Sequence, residues 1–112
     1  MKFSNTIATA AVAATCLMAL PAWAADEPKG NVDAAKAKVS MCIGCHSIPG
    51  YKASFPEVYS VPKIAGQNEK YLQVALRAYA SGERTHPTMD AIAKSLSAQD
   101  IADIAAYYTS LK

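Results

Sequence analysis

The chain lacks a second pair of closely spaced cysteines, any run of lysine or arginine, any internal repeat, and any segment in which apolar and polar residues alternate. Each absence excludes something. Cysteine occurs three times, at positions 16, 42 and 45. Cys42 and Cys45 alone cannot close a tetrahedral zinc site, and Cys16 and His86 do not supply the usual ligand spacing. Without strand patterning, the cysteine pair has no βαβ setting of the thioredoxin kind. The formal charge is only +2, which argues against a nucleic-acid partner, and no basic cluster reads as a membrane-surface patch. A chain without repeats is not a solenoid.

The one long uncharged apolar stretch lies at the N-terminus. Lys2 precedes it, Ile7 to Leu20 carries no charge, Pro21 breaks it, and Ala22-Trp23-Ala24 supplies a small-x-small cleavage pattern. This is the organisation of an export signal over residues 1–24, so the mature chain is expected to start at Ala25 in the periplasm. The stretch is too short for a good membrane span. Cys16 follows Ala13-Ala14-Thr15, which lacks the leucine and the adjacent small residue of a lipidation site. Residues 25–112 then form a single domain with no stable membrane anchor.

Large apolar side chains are scarce in that domain. Its 88 residues hold 16 Leu, Ile, Val and Phe and no Trp, below the one-fifth level that warns of disorder. Near-neutral charge and clear helical patterning oppose disorder. A flat apolar cofactor, around which short helices pack, would supply the missing bulk.

Residues 25–31 read as a flexible leader. A first helix is expected over about Val32 to Met41, capped by Asn31 or Asp33, with Ala35 and Val39 on one face. Pro49-Gly50, Pro56, Pro62 and Gly66 leave no room for a long helix between 47 and 66. A second helix starts after Asn68 and runs to Ala80, with Gly82 as its stop. Tyr71, Leu72, Ala75, Leu76 and Tyr79 recur along it at helical spacing. Asp90 to Leu96 forms a third. Ser97-Ala98-Gln99-Asp100 resembles a capping box opening the last helix, with Ile101, Ile104, Ala105, Tyr108 and Leu111 along one side. The fold class is all-α.

What the chain does have is Cys42-Ile43-Gly44-Cys45-His46, the pattern of covalent haem attachment. Two thiols three positions apart on one helical turn can each add to a haem vinyl group. The histidine that follows is then held beneath the iron. For the second axial position, methionine and histidine are the common choices. Met41 adjoins Cys42 and cannot easily reach the opposite haem face. Met89 lies 43 residues beyond His46, in an expected loop stiffened by Pro87, and is the favoured ligand. His86, read as a solvent-exposed loop residue, and an open site are the alternatives. A His/Met pair raises the reduction potential relative to two histidines. Ligation from both sides leaves no position for oxygen or peroxide, which suits a carrier and not an enzyme.

With these residues in place, the chain resembles a class I c-type cytochrome, a bacterial single-haem relative of the cytochrome c4/c553 group. The attachment motif carries the resemblance, followed by Val61-Pro62-Lys63-Ile64-Ala65-Gly66-Gln67, then Tyr71-Leu72 with Gly82-Glu83-Arg84. Met89, Leu96-Ser97 and Asp100-Ile101 complete it. The resemblance implies a cytochrome c fold around one covalent haem c. It also implies a Pro62 carbonyl accepting from His46 Nδ1, Ile64 packed on the haem, and Gln67, Tyr71 and Arg84 near the propionates. A close crossing of first and last helices would use Ala34, Ala35, Ala105, Ala106 and the Tyr107-Tyr108 pair. Ser47 stands where glycine is common, and the loop Ile48 to Ser60, with Tyr51, Phe55 and Tyr59, is unusual for the family and is expected to shape the haem edge or a partner surface. The implied function is periplasmic one-electron transfer between redox partner proteins such as a dehydrogenase or a terminal oxidase. The alternatives are a haem c subunit of a larger dehydrogenase or oxidase complex and a ligand-binding or peroxidase-like haem protein.

Overall fold

The structure is a computed structural model describing residues 27–54 and 58–111. The expected export signal with Cys16, the expected mature start at Ala25, and Phe55 and Pro56 lie outside the described residues.

The N-terminal helix comes in two pieces. Asn31 caps α1 (Val32–Ala35), its side-chain oxygen accepting from the backbone N–H groups of Asp33 and Ala34 at 2.9 and 3.1 Å. The chain then turns through residues 36–39 and resumes as α2 (Ser40–His46). The Cys42 N–H reaches the Val39 carbonyl at 2.8 Å in a tight three-residue bond there. The expected helix over 32–41 is therefore interrupted, and its second piece extends to His46, so the whole attachment motif rides on α2.

Two short strands follow, contrary to the strand-free expectation. β1 (Lys52–Ala53) pairs antiparallel with β2 (Tyr59–Ser60), Lys52 opposite Ser60 and Ala53 opposite Tyr59. Two residues are too few for alternation to register, and the prolines dominate the local signal.

α3 (Glu69–Ser81) opens on Asn68, whose side chain accepts from the Tyr71 N–H at 3.0 Å. It closes on Gly82 at φ 87°, a left-handed cap that glycine adopts without steric cost. α4 (Pro87–Lys94) starts earlier than the expected Asp90, with Pro87 in the first turn, where its missing N–H costs nothing. Met89 thus sits in a helical turn and not in a loop. α5 (Ala98–Ser110) opens on a capping box: the Asp100 N–H donates to Ser97 Oγ at 3.1 Å, and the Ser97 N–H donates to Asp100 Oδ2 at 2.9 Å.

α1 and α3 both pack on α5, and α3 packs on α4. Ala35, Val39, Leu72, Ile104, Ala105 and Tyr108 form the core. The small-residue crossing is real, but Ala34 is exposed and Gly30 takes part instead. A Cβ on Gly30 would stand 2.3 Å from the Ala102 carbonyl oxygen. Asp103, 1% exposed, closes the crossing. It accepts from the Asn31 N–H, Lys38 Nζ and Gln99 Nε2, each at 2.8 Å. Lys38 also reaches Asp100 at 2.5 Å. Hydrogen bonds from Lys38 and Ser97 bring the Asp100 carboxyl down to about 2. At Asp103 burial pushes the carboxyl up, but the three donors outweigh it and hold it below its ordinary value.

The leader is not free over 27–31. Glu27 pairs with Lys70 and with Arg77, the latter at 2.5 Å, and the Lys29 carbonyl accepts from Gln99 at 3.0 Å. Its polar groups find partners on α3 and α5, which strap it across the helices.

Candidate functional site

A cavity of about 350 Å³ lies between α2, the hairpin, the segment 61–67 and the three later helices. α2 brings both cysteines of the motif to it as free, half-buried thiols. Cys42 packs against the core cluster. Burial, and after it the neighbouring Cys45, push the Cys42 thiol above its ordinary value. Before haem is attached, it therefore remains a thiol at neutral pH.

His46 ends α2 beside them. Its Nδ1–H donates to the Pro62 carbonyl at 2.7 Å. A carbonyl can only accept, so this bond fixes the tautomer and leaves Nε2 with a free lone pair. Met89 reaches the same cavity from the first turn of α4, and Met41 lines it from α2. Ile64 lines it while packing on the core. Gln67, Tyr71 and Arg84 also belong to its wall. Arg84 Nη1 lies 3.5 Å from the Tyr71 hydroxyl, and its guanidinium sits 5.2 Å from the centre of the Tyr79 ring. The Gln67 side-chain oxygen accepts from the Asn68 N–H at 2.8 Å. Every residue singled out in the sequence for this site meets at one cavity.

Several wall residues were not singled out for it. Ala53 and Val61 come from the hairpin, beside Tyr51 and Tyr59 of the loop expected to shape the haem edge or a partner surface. His86 is not the solvent-exposed loop residue expected. It is half-buried on the cavity wall, with both ring nitrogens buried and, among the described residues, without partners. Its ring centre lies 4.8 Å from that of Tyr59, tilted by 60°. Tyr108 lines the wall from α5, and burial pushes its hydroxyl up to about 12.

This lining fits a haem. Half of the buried apolar residues are alanines (Ala35, Ala78, Ala93, Ala102 and Ala105), so the helices themselves fill little volume. Leu76, Ile92 and Leu96 line the cavity yet are only half-buried by protein, as walls of an apolar ligand would be. The polar lining is equally specific: two thiols one turn apart, an imidazole with one nitrogen committed, and a thioether. Among the described residues, no three His, Cys, Asp or Glu side chains cluster to hold a bare metal ion, which disfavours zinc.

A model of the cytochrome c family matches residues 32–112. Cytochrome c4 of Pseudomonas aeruginosa is 39% identical over 83 residues, covering 74% of this chain and 39% of that protein. Cytochrome c-554(548) of Halomonas halodenitrificans is 37% identical over 84 residues, covering 72% of this chain and 96% of that protein. Reduced recombinant cytochrome c4 from Pseudomonas stutzeri, known from its crystal structure, matches with a TM-score of 0.59 at 35% identity. That match covers 74% of this chain and 46% of the other. The chain thus spans under half the length of these cytochrome c4 proteins. It belongs to the cytochrome c family, as a class I c-type cytochrome of the c4 group with one covalently attached haem c.

Proposed function

We propose that this chain is a periplasmic carrier of single electrons, in which Cys42 and Cys45 would hold the haem covalently and His46 and Met89 would ligate its iron. One observation carries the reading. Two ligand-bearing side chains, 43 residues apart on α2 and α4, line one apolar cavity with both thiols. Bound there, haem supplies a reversible one-electron iron couple. The protein's residues do the rest. The Pro62 bond holds the His46 ring in one tautomer and raises its basicity. The soft Met89 thioether favours the ferrous state and raises the potential. With both residues as ligands, no position would be left for oxygen or peroxide, which supports a carrier over an enzyme. Arg84, with Tyr71 and Gln67, places a cation and hydrogen-bonding groups where the propionates would lie.

Export follows from residues 1–24, leaving residues 25–112 as one haem domain. Among the described residues no helix is long and apolar enough to cross a membrane. The partners are redox proteins met in brief, weak encounters. A relative named as a thiosulfate dehydrogenase electron acceptor supports a dehydrogenase as donor, and a terminal oxidase is the corresponding acceptor. A relative named as the cytochrome subunit of a sulfide dehydrogenase favours a second reading, a haem subunit fixed in a larger complex. Such a subunit should co-purify with a much larger protein, whereas a free carrier should not.

The test is the absorption spectrum of the ferric protein, scanned into the near infrared. A c-type spectrum with the weak sulfur-to-iron band is expected, lost in Met89→Ala. That variant should also have a lower potential and a ferrous form that binds carbon monoxide. An unchanged potential with no new ligand binding would sink Met89 as ligand, and absence of covalent haem would overturn the whole reading.

A further inference from the structure

Among the described residues, the hairpin itself is slight. Its strands are two residues each, extended by one further bond, in which the Val61 N–H donates to the Tyr51 carbonyl at 3.0 Å. A two-stranded ribbon of this size is barely stable alone in water, so its position depends on what lies beneath it. Tyr51, Ala53, Tyr59 and Val61 line the cavity, while Lys52 and Ser60 are exposed. Among the described residues, Tyr59 makes an aromatic contact from the hairpin to the helical body, against His86.

His86 is an odd residue for that contact. An imidazole buried with neither nitrogen bonded forgoes its hydrogen bonds, a costly arrangement. Here it serves as a flat aromatic surface. Its backbone, by contrast, is firmly placed. The His86 N–H donates to Asp90 Oδ1 at 3.0 Å, and the His86 carbonyl accepts from the Asp90 N–H at 2.8 Å. His86 is thereby the N-cap of α4, whose first turn carries Met89. Whatever holds its ring also holds the turn that presents the thioether.

We propose that Tyr59 and His86 are positioning residues forming a clasp between the hairpin and the Met89 turn, which sets how readily Met89 leaves the iron and admits an external ligand. This rests on Met89 being the iron ligand. Exchange breaks the bond from iron to the Met89 sulfur and forms one to the incoming nitrogen, and no electron moves. With the clasp closed, the hairpin covers its side of the cavity and the first turn of α4 cannot swing outward. With it open, both move together.

The experiment uses ferric, haem-loaded protein and imidazole as the probe, with the near-infrared sulfur band and the limiting rate of capture at saturating imidazole as readouts. Tyr59→Ala and His86→Ala should each raise that rate by between about two- and tenfold, the worth of one aromatic pair. The double variant should be no faster than either single one, because both remove the same contact. His86→Phe keeps the ring and should restore the wild-type rate. A wild-type protein without the sulfur band refutes Met89 as ligand, and the clasp with it. A wild-type protein with the band but unchanged rates in both alanine variants refutes the clasp alone. His86→Phe as fast as His86→Ala, or additive effects in the double variant, refutes it as well.

Discussion

Replacing Asp103 by alanine should destabilise the protein by about 3 kcal/mol without altering its haem spectrum. The carboxylate is buried and accepts from three donors, the Asn31 N–H, Lys38 Nζ and Gln99 Nε2. Removing one partner of a buried ion pair costs about 3–5 kcal/mol. Lys38 keeps Asp100 at 2.5 Å and its side chain is 31% exposed, so the lower end applies. The Asn31 N–H also loses its partner, at the point where the N-terminal segment meets α5, and that cost is contained within the same range. Against a typical total of about 5–15 kcal/mol, the loss is large. Asp103→Asn should fall between, since its amide oxygen can still accept from the Asn31 N–H and Gln99 while its NH₂ faces the Lys38 ammonium. Urea unfolding of haem-loaded protein at pH 7, followed by far-ultraviolet circular dichroism, measures both variants. A loss below about 1 kcal/mol for the alanine variant would refute the view that this carboxylate locks the first and last helices.

Gly30→Ala should lower the melting temperature, because the new methyl meets the Ala102 carbonyl oxygen at 2.3 Å and overpacking costs about 1–3 kcal/mol; an unchanged transition would refute that close approach. Acid should weaken the protein through Asp100 and Asp103. Their folded values lie below the ordinary 3.8, about 2 for Asp100. Their contribution is therefore full above the unfolded value and is lost as pH falls toward the folded one. Stability should drop between about pH 4 and 2, less steeply in Lys38→Met, which removes the shared cation; parallel curves for the two proteins would count against it. Cys42→Ala with Cys45→Ala should abolish covalent haem and leave little helical signal, and a fully helical double variant would contradict a core completed by the cofactor.

The parts of this molecule legible in its sequence are those encoded within a few residues. Cys42 to His46 carries its chemistry in contiguous spacing. α3 and α5 announce themselves by apolar periodicity between Asn68 and Gly82 and after the Ser97-x-x-Asp100 box. What stayed hidden depends on partners far along the chain. Nothing near Asp103 marks it as buried, because the groups that make burial tolerable are Asn31 and Lys38. His86 looks like a loop histidine until Tyr59 folds over it, and Gly30 looks like leader until α5 crosses it. The break between α1 and α2 is similar, since periodicity alone favours one continuous helix through residues 36–39.

These hidden contacts share a cause. A chain with so few large apolar residues must bring its helices close on alanine and glycine, and close backbones leave gaps only where something else fits. The gap here is the cavity, walled by half-buried Ile64, Leu76, Ile92 and Leu96. Side chains that fill so little volume grip a flat ligand weakly, and a ligand held by burial alone could leave past the slight hairpin. Two thioether bonds from one helical turn, as proposed for Cys42 and Cys45, would remove that route of loss. The contiguous motif and the thin core are therefore one requirement met twice, and the long-range pairs at Asp103 and Gly30 keep the attachment turn in register with the helices behind it.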